Sequence, residues 1–263
     1  MTKLRPQNIL VVGGGSGLGK AIAQKFLQLG AKNVVIASRN IAKLEETARS
    51  FDVNSSSQHV YTLQFDITET KKHLQKIAEA NSLLENNEKL DGLVIAAGVN
   101  FDGSNWKGFN ITEEQWDFVM NTNLKGVFFL MRNFANYLFD NKIKGNVCIL
   151  SSISAHRDML SVYQISKHCV SRIVNTYGKY LCERGCVLNA IEPGPIYTDM
   201  MKWLEKYTDG VRPGEPWNDS SLRRLVRPEE IADLVAILMS DLGEVMSGTC
   251  LLAGGGTKSI FPC

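Results

Sequence analysis

The chain has 263 residues, 44% of them hydrophobic and 21% charged, with a formal net charge of +2 at pH 7. That length suits one α/β domain with a full core, and so small a net charge excludes the basic surface that nucleic acid or an acidic membrane demands. No apolar run reaches the roughly 18 residues of a membrane span, and the opening MTKLRPQNILVVGGG lacks a signal-peptide layout, so a cytoplasmic protein without nucleic-acid or membrane partners is expected. The cysteines at 148, 169, 182, 186, 250 and 263 are expected as reduced thiols, several of them in the core. Cys182 and Cys186 have no His or Cys cluster beside them and the four histidines are scattered, so no metal is expected.

In chain order, the first predicted strand, NILVV (8–12), runs into VVGGGSGLGKAIA (11–23), which opens a helix over 17–29. Glycine at 13, 17 and 19 permits a tight turn and a close backbone approach to a pyrophosphate lying at the positive helix end. Placed between strand and helix, the loop Gly13, Gly15, Ser16, Gly17, Leu18, Gly19 is read as a dinucleotide cradle. The second strand, NVVIAS (33–38), ends in Ser38 and Arg39, where an acid would accept from a free ribose hydroxyl. A hydroxyl and a guanidinium bind a 2′-phosphate instead, so NADP(H) is favoured over NAD(H). After a helix over 41–51 comes HVYTLQF (59–65), followed by Asp66, whose carboxylate can accept from an adenine amino group or cap the turn before Thr68.

A helix over 70–86 leads to DGLVIAA (91–97); one long helix is then predicted over 112–139, with Thr112 at its start. NVCILS (146–151) is the next strand, and the serines that end it, Ser151 and Ser152, lie at the rim where a ligand would sit; Ser152 is preferred as a hydrogen-bond partner for substrate oxygen. On the helix over 161–184, YQISK (163–167) sets Tyr163 and Lys167 on one face. An ammonium favours the phenolate, lowering the tyrosine towards working pH as a general acid or base for alcohol–ketone interconversion. CVLNAI (186–191), a helix over 228–240 begun by Pro228, and TCLLA (249–253) complete the series. Near-continuous apolar strands alternating with helices predict a Rossmann-type doubly wound parallel sheet of about seven strands in one domain. The irregular segment 199–226 is expected to form a substrate lid, with Trp203, Tyr207, Met200 and Met201 as apolar contacts and Lys202, Lys206, Arg212, Arg223 and Arg224 as basic ones. His156 is expected as an exposed loop residue or a substrate contact.

With GGGSGLG (13–19), DI (66–67), AAG (96–98), NTNLKGVF (121–128), LSSIS (150–154), YQISK (163–167), NAIEPGPIYTDM (189–200) and SGTCLLAGGG (247–256), the chain closely resembles the short-chain dehydrogenase/reductase family from about residue 8 to 256. The resemblance implies a tetrad. Asn123 holds a proton-relay water, Ser152 orients the substrate carbonyl, Tyr163 exchanges the proton, and Lys167 binds nicotinamide ribose and acidifies the tyrosine. It further implies that Asp66, Ile67, Ala97, Gly98, Pro193, Gly194, Ile196 and Thr198 contact the dinucleotide, that the substrate is a small carbonyl or alcohol, and that the chain assembles as a homotetramer or homodimer. A 3-oxoacyl thioester and a sugar or polyol both remain open as substrates, and a non-catalytic dinucleotide-binding regulator is the rival outside the class. The chain departs from the family at Val12, usually threonine, at Ile95-Ala96-Ala97-Gly98, usually Asn-Asn-Ala-Gly, and at Ala253, where aspartate is common.

Overall fold

A computed structural model describes residues 3–53, 55–100, 110–157, 161–196 and 221–256. Thr198, Trp203, Tyr207, the two methionines and the first three basic residues of the expected lid lie outside them.

Each apolar run becomes a strand because its branched side chains can be buried on both faces. The described strands are β1 (Asn8–Val12), β2 (Asn33–Ser38), β3 (His59–Gln64), β4 (Gly92–Ile95), β5 (Asn146–Leu150), β6 (Val187–Pro193) and β7 (Cys250–Ala253). They form one parallel sheet in the order β3-β2-β1-β4-β5-β6-β7. The order reverses between β1 and β4, which puts a crevice at their carboxyl ends.

Helices α1 (Gly17–Gln28), α2 (Ile41–Arg49) and α7 (Pro228–Leu238) close one face around Phe26, Leu44 and Ile231. On the other face, α3 (His73–Ser82), α5 (Val127–Asp140) and α6 (Val162–Cys182) pack around Ile77, Phe134 and Val174. Those six side chains are almost fully buried, and truncating a buried phenylalanine such as Phe26 costs about 3–5 kcal/mol. A short α8 (Asp241–Val245), capped by the Ser240 hydroxyl on Leu242 N, follows α7. No described helix is long and apolar enough to cross a membrane. The five described cysteines are free thiols, Cys148 and Cys186 among them buried.

The long helix expected over 112–139 is interrupted. Thr112 and Gln115 cap α4 (Glu113–Met120) reciprocally. One wider turn, Asn121–Gly126, with i to i+5 hydrogen bonding, then separates α4 from α5. The helix expected over 70–86 likewise begins as a tight turn at Thr70–Lys72 and ends at Ser82. Past β6, Ile196 forms a parallel bridge with Val226, the last residue of the expected lid segment.

Candidate active site

The carboxyl ends of β1 to β6 open into one cleft of about 680 Å³. Its first wall is made of backbone. Gly13 has φ +92, and a Cβ there would lie 2.5 Å from Ala97 N; a Cβ on Gly19 would lie 2.1 Å from Gly13 O. The loop can therefore fold tightly onto the end of β4 and the start of α1 only with hydrogen at both positions. Ser16 precedes α1 in extended conformation without a side-chain cap bond, which leaves the first-turn N–H groups as donors for an anion. Gly15, Ser16, Gly17 and Leu18 line the same wall.

At the next corner Ser38, Arg39, Asn40 and Lys43 line the cleft. Arg39 is exposed, Asn40 caps α2 through Lys43 N at 3.0 Å, and Lys43 Nζ pairs with Glu46 at 2.9 Å. Asp66 is the one carboxylate among the described lining residues. One of its oxygens accepts from both the N–H and the hydroxyl of Thr68, at 2.9 and 2.8 Å, so it turns the chain as well as facing the cleft beside Ile67. Ala97, Gly98, Pro193, Gly194 and Ile196 are lining residues too.

The far end holds polar side chains taken out of water. α6 starts at a reciprocal cap between Ser161 and Gln164, and its first turns aim Tyr163 and Lys167 into the cleft. Ser152 stands beside Tyr163 in the cleft wall, where its hydroxyl favours the phenolate, and it accepts from Ser154 N at 3.1 Å. Ser151 also lines the cleft, but its Oγ is engaged by Ser171 Oγ at 2.8 Å and by the Lys167 carbonyl at 3.1 Å. The geometry thus separates two serines that are neighbours in sequence.

The Lys167 ammonium donates to the Leu150 carbonyl at 2.8 Å and stands 5.7 Å from the centre of the Tyr163 ring. Burial pushes the phenol above its ordinary value, and the neighbouring Ser152 hydroxyl pulls it only partly back. The same burial pushes Lys167 down to about 8, because removing water penalises whichever form is charged. The Asn123 side chain is fully buried and is not among the described lining residues. Its amide oxygen accepts from Val99 N at 2.8 Å, and its amide nitrogen donates to Val99 O at 2.8 Å and to Ser166 Oγ at 3.3 Å. It therefore braces the chain leaving β4, the place where Ile95 and Ala96 have lost the family's amides.

His156 is not among the described lining residues; its Nε2 lies 2.6 Å from Glu192. Arg224 forms a two-pronged pair with Glu230, 2.7 Å on each side, and holds that carboxyl down to about 2, so it anchors the start of α7. Lys43, Ser154, Arg157 and Gln164 line the cleft without having been foreseen. Lys43, four positions beyond Arg39 at a helix start, and Gln164, next to Tyr163, carried a readable signal.

A family model described as enoyl-(acyl carrier protein) reductase matches residues 13–258. A diacetyl reductase [(S)-acetoin forming] of Staphylococcus epidermidis is 27% identical over 94% of this chain and 96% of its own. An L-rhamnose 1-dehydrogenase (NADP(+)) of Thermoplasma acidophilum is 26% identical over 97% of this chain and 98% of its own. The crystal structure of a short chain dehydrogenase from Bacillus anthracis superposes with a TM-score of 0.80 at 27% identity, covering 95% of both chains.

Proposed function

We propose that this chain, which belongs to the short-chain dehydrogenase/reductase family, is an NADP(H)-dependent oxidoreductase that interconverts a small ketone and the corresponding secondary alcohol. The observation that carries the reading is the gathering of Ser152, Tyr163 and Lys167 at one end of the cleft, with Lys167 Nζ 5.7 Å from the centre of the Tyr163 ring. The residues present fit a dinucleotide. Gly13 and Gly19 leave a cradle that a Cβ would fill, and Ser38, Arg39 and Lys43 supply a hydroxyl and two cations where a 2′-phosphate would lie. The NADP(+) in the name of the Thermoplasma relative points the same way.

When bound, the nicotinamide exchanges the hydride; the protein orients and polarises. Ser152 Oγ donates to the carbonyl oxygen and fixes it beside Tyr163 Oη. A phenol held above its ordinary value is protonated at neutral pH, so Tyr163 is a proton donor ready for ketone reduction. Lys167, still largely charged at neutral pH, carries the positive charge that favours the phenolate left behind, and Asn123 keeps the Val99 backbone rigid at the mouth. The groove lined by Trp116 and Met120 of α4, Leu124 of the wide turn, Phe128 of α5 and Ile173 of α6, with Asp117 and Lys125 beside them, offers a surface for a second copy in a homodimer or homotetramer.

The test is a panel of small diketones, 3-oxoacyl thioesters and sugars, run with NADPH and NADH in parallel and followed by absorbance of the reduced nicotinamide. Turnover with NADPH on a ketone or sugar class is expected. Equal or faster rates with NADH would overturn the reading of Ser38 and Arg39. NADPH binding without turnover anywhere on the panel would leave a dinucleotide-binding regulator.

A further inference from the structure

We propose that Glu192 is a positioning residue for Ser152, a buried carboxylate that grips both flanks of the segment carrying that hydroxyl. The inference rests on the reading of Ser152 given above. Glu192 lies in β6, one residue before Pro193 of the cleft wall, and is 1% exposed. Its Oε1 accepts from Ser171 Oγ of α6 at 2.6 Å, and its Oε2 meets His156 Nε2 at 2.6 Å.

The two contacts lead to opposite sides of Ser152. Ser171 Oγ lies 2.8 Å from Ser151 Oγ, and each hydroxyl is 3.1 Å from the Lys167 carbonyl. With Ser171 giving its proton to the carboxylate, Ser151 can give its own to Ser171 or to that carbonyl, so every group in the chain is served. On the other side, His156 ends the tight turn Ile153–His156 that starts from Ser152. His168 of α6 holds the same turn through the Ala155 carbonyl at 3.0 Å. His156 thus meets the carboxylate directly and Ser151 meets it through Ser171, and Ser152, which lines the cleft with Tyr163, lies between them.

Nothing in the sheet requires an acid there. The flanking Ile191 and Ala190 are fully buried, and replacing a buried ionic group by a well-packed apolar one is commonly neutral or stabilising. Short charge-assisted bonds fix geometry more tightly than apolar contact does. A carboxylate retained at such a position therefore contributes direction to its neighbours, and its nearest consequence in the cleft is the Ser152 hydroxyl.

The experiment compares Glu192→Leu and Glu192→Gln with the parent, using two readouts. The first is turnover of the best ketone with NADPH and with its 4-deuterated form, beside NADPH affinity by fluorescence. The second is the Tyr163 titration, obtained as the ultraviolet difference from Tyr163→Phe in each background and needing no turnover. Glu192→Leu is expected to keep NADPH affinity within about threefold, lower kcat at least tenfold, and raise the deuterium effect. It is also expected to move the Tyr163 titration up by about one unit, the worth of one hydrogen bond to the phenolate. Glu192→Gln, which keeps one acceptor and one donor, is expected to recover most of both. Should Glu192→Leu fail to fold, Ser171→Ala and His156→Gln take its place in the same two readouts, each expected to move the titration upward. An unchanged Tyr163 titration in variants that fold overturns the inference, whatever the turnover. A parent inactive on every ketone, with the titration moving as expected, sinks the enzymatic reading and leaves the positioning role in place.

Discussion

The two ends of the cleft are built by opposite means. At the glycine loop the protein works by leaving atoms out: backbone meets backbone between Gly13, Gly19 and Ala97, and the space fits because no side chain is there. At the start of α6 it works by putting polar atoms in, with Lys167 and Ser152 buried, Tyr163 half-buried beside them, and the ammonium bonded to backbone. The first end is broken by adding a methyl group, the second by removing an oxygen or a charge. Binding and turnover should therefore fail separately.

The sharpest break belongs to the polar end. Tyr163→Phe is expected to lower kcat by about a thousandfold, within the usual reach of a positioned acid, while NADPH affinity measured by fluorescence stays within a few fold. Comparable loss of both would mean that the two ends are not separate devices.

Next comes Lys167, whose charge is buried at a cost. Its folded value of about 8 lies below the ordinary 10.5, so the unfolded chain keeps that proton to higher pH than the native protein does. Stability then rises as pH climbs from about 8 to 10.5 and is flat with respect to this group below that window. The gap is worth on the order of 3 kcal/mol. Urea unfolding of the ligand-free protein across the window should show the rise, and Lys167→Met should abolish it.

At the glycine end, Gly19→Ala sets a Cβ against Gly13 O. It is expected to cost about 1–3 kcal/mol by thermal unfolding and to remove measurable NADPH binding, because the loop must shift to make room. A variant that still binds would show that the cradle is softer than its backbone contacts indicate. The smallest effect is specificity within that same end. Arg39→Asp is expected to shift the NADPH-to-NADH ratio of kcat/KM towards NADH by tenfold or more, the worth of one charge-assisted contact.

The polar end also shows where sequence reading stops. All seven strands were legible to within about two residues, since an apolar run bounded by turn residues carries its own limits. The wide turn at Asn121–Gly126 was not, because one extra residue in a turn leaves the surrounding apolar spacing intact. α8 escaped for a different reason: five residues make too short a period to recognise. The glycine loop was readable residue by residue, because its function lies in what the residues lack. Tyr163 and Lys167 were readable as a pair, but the partner of the ammonium is the Leu150 carbonyl, and a backbone group far along the chain leaves no mark near YQISK. For the same reason the destination of the Asn123 amide was invisible. Glu192 did leave a mark, a single acid inside the buried run NAIEP, but its partners at 156 and 171 emerge only when β6 and α6 are packed together.

The bridge between Ile196 and Val226 has an evolutionary meaning. A segment pinned at its neck can change length and composition while the strands beneath it keep their register, since loop-closure entropy grows only slowly with the number of residues enclosed. Exchanging residues 197–220 for the corresponding stretch of a relative, with Arg224 and its Glu230 pair retained, should thus leave the register of the parallel sheet unchanged.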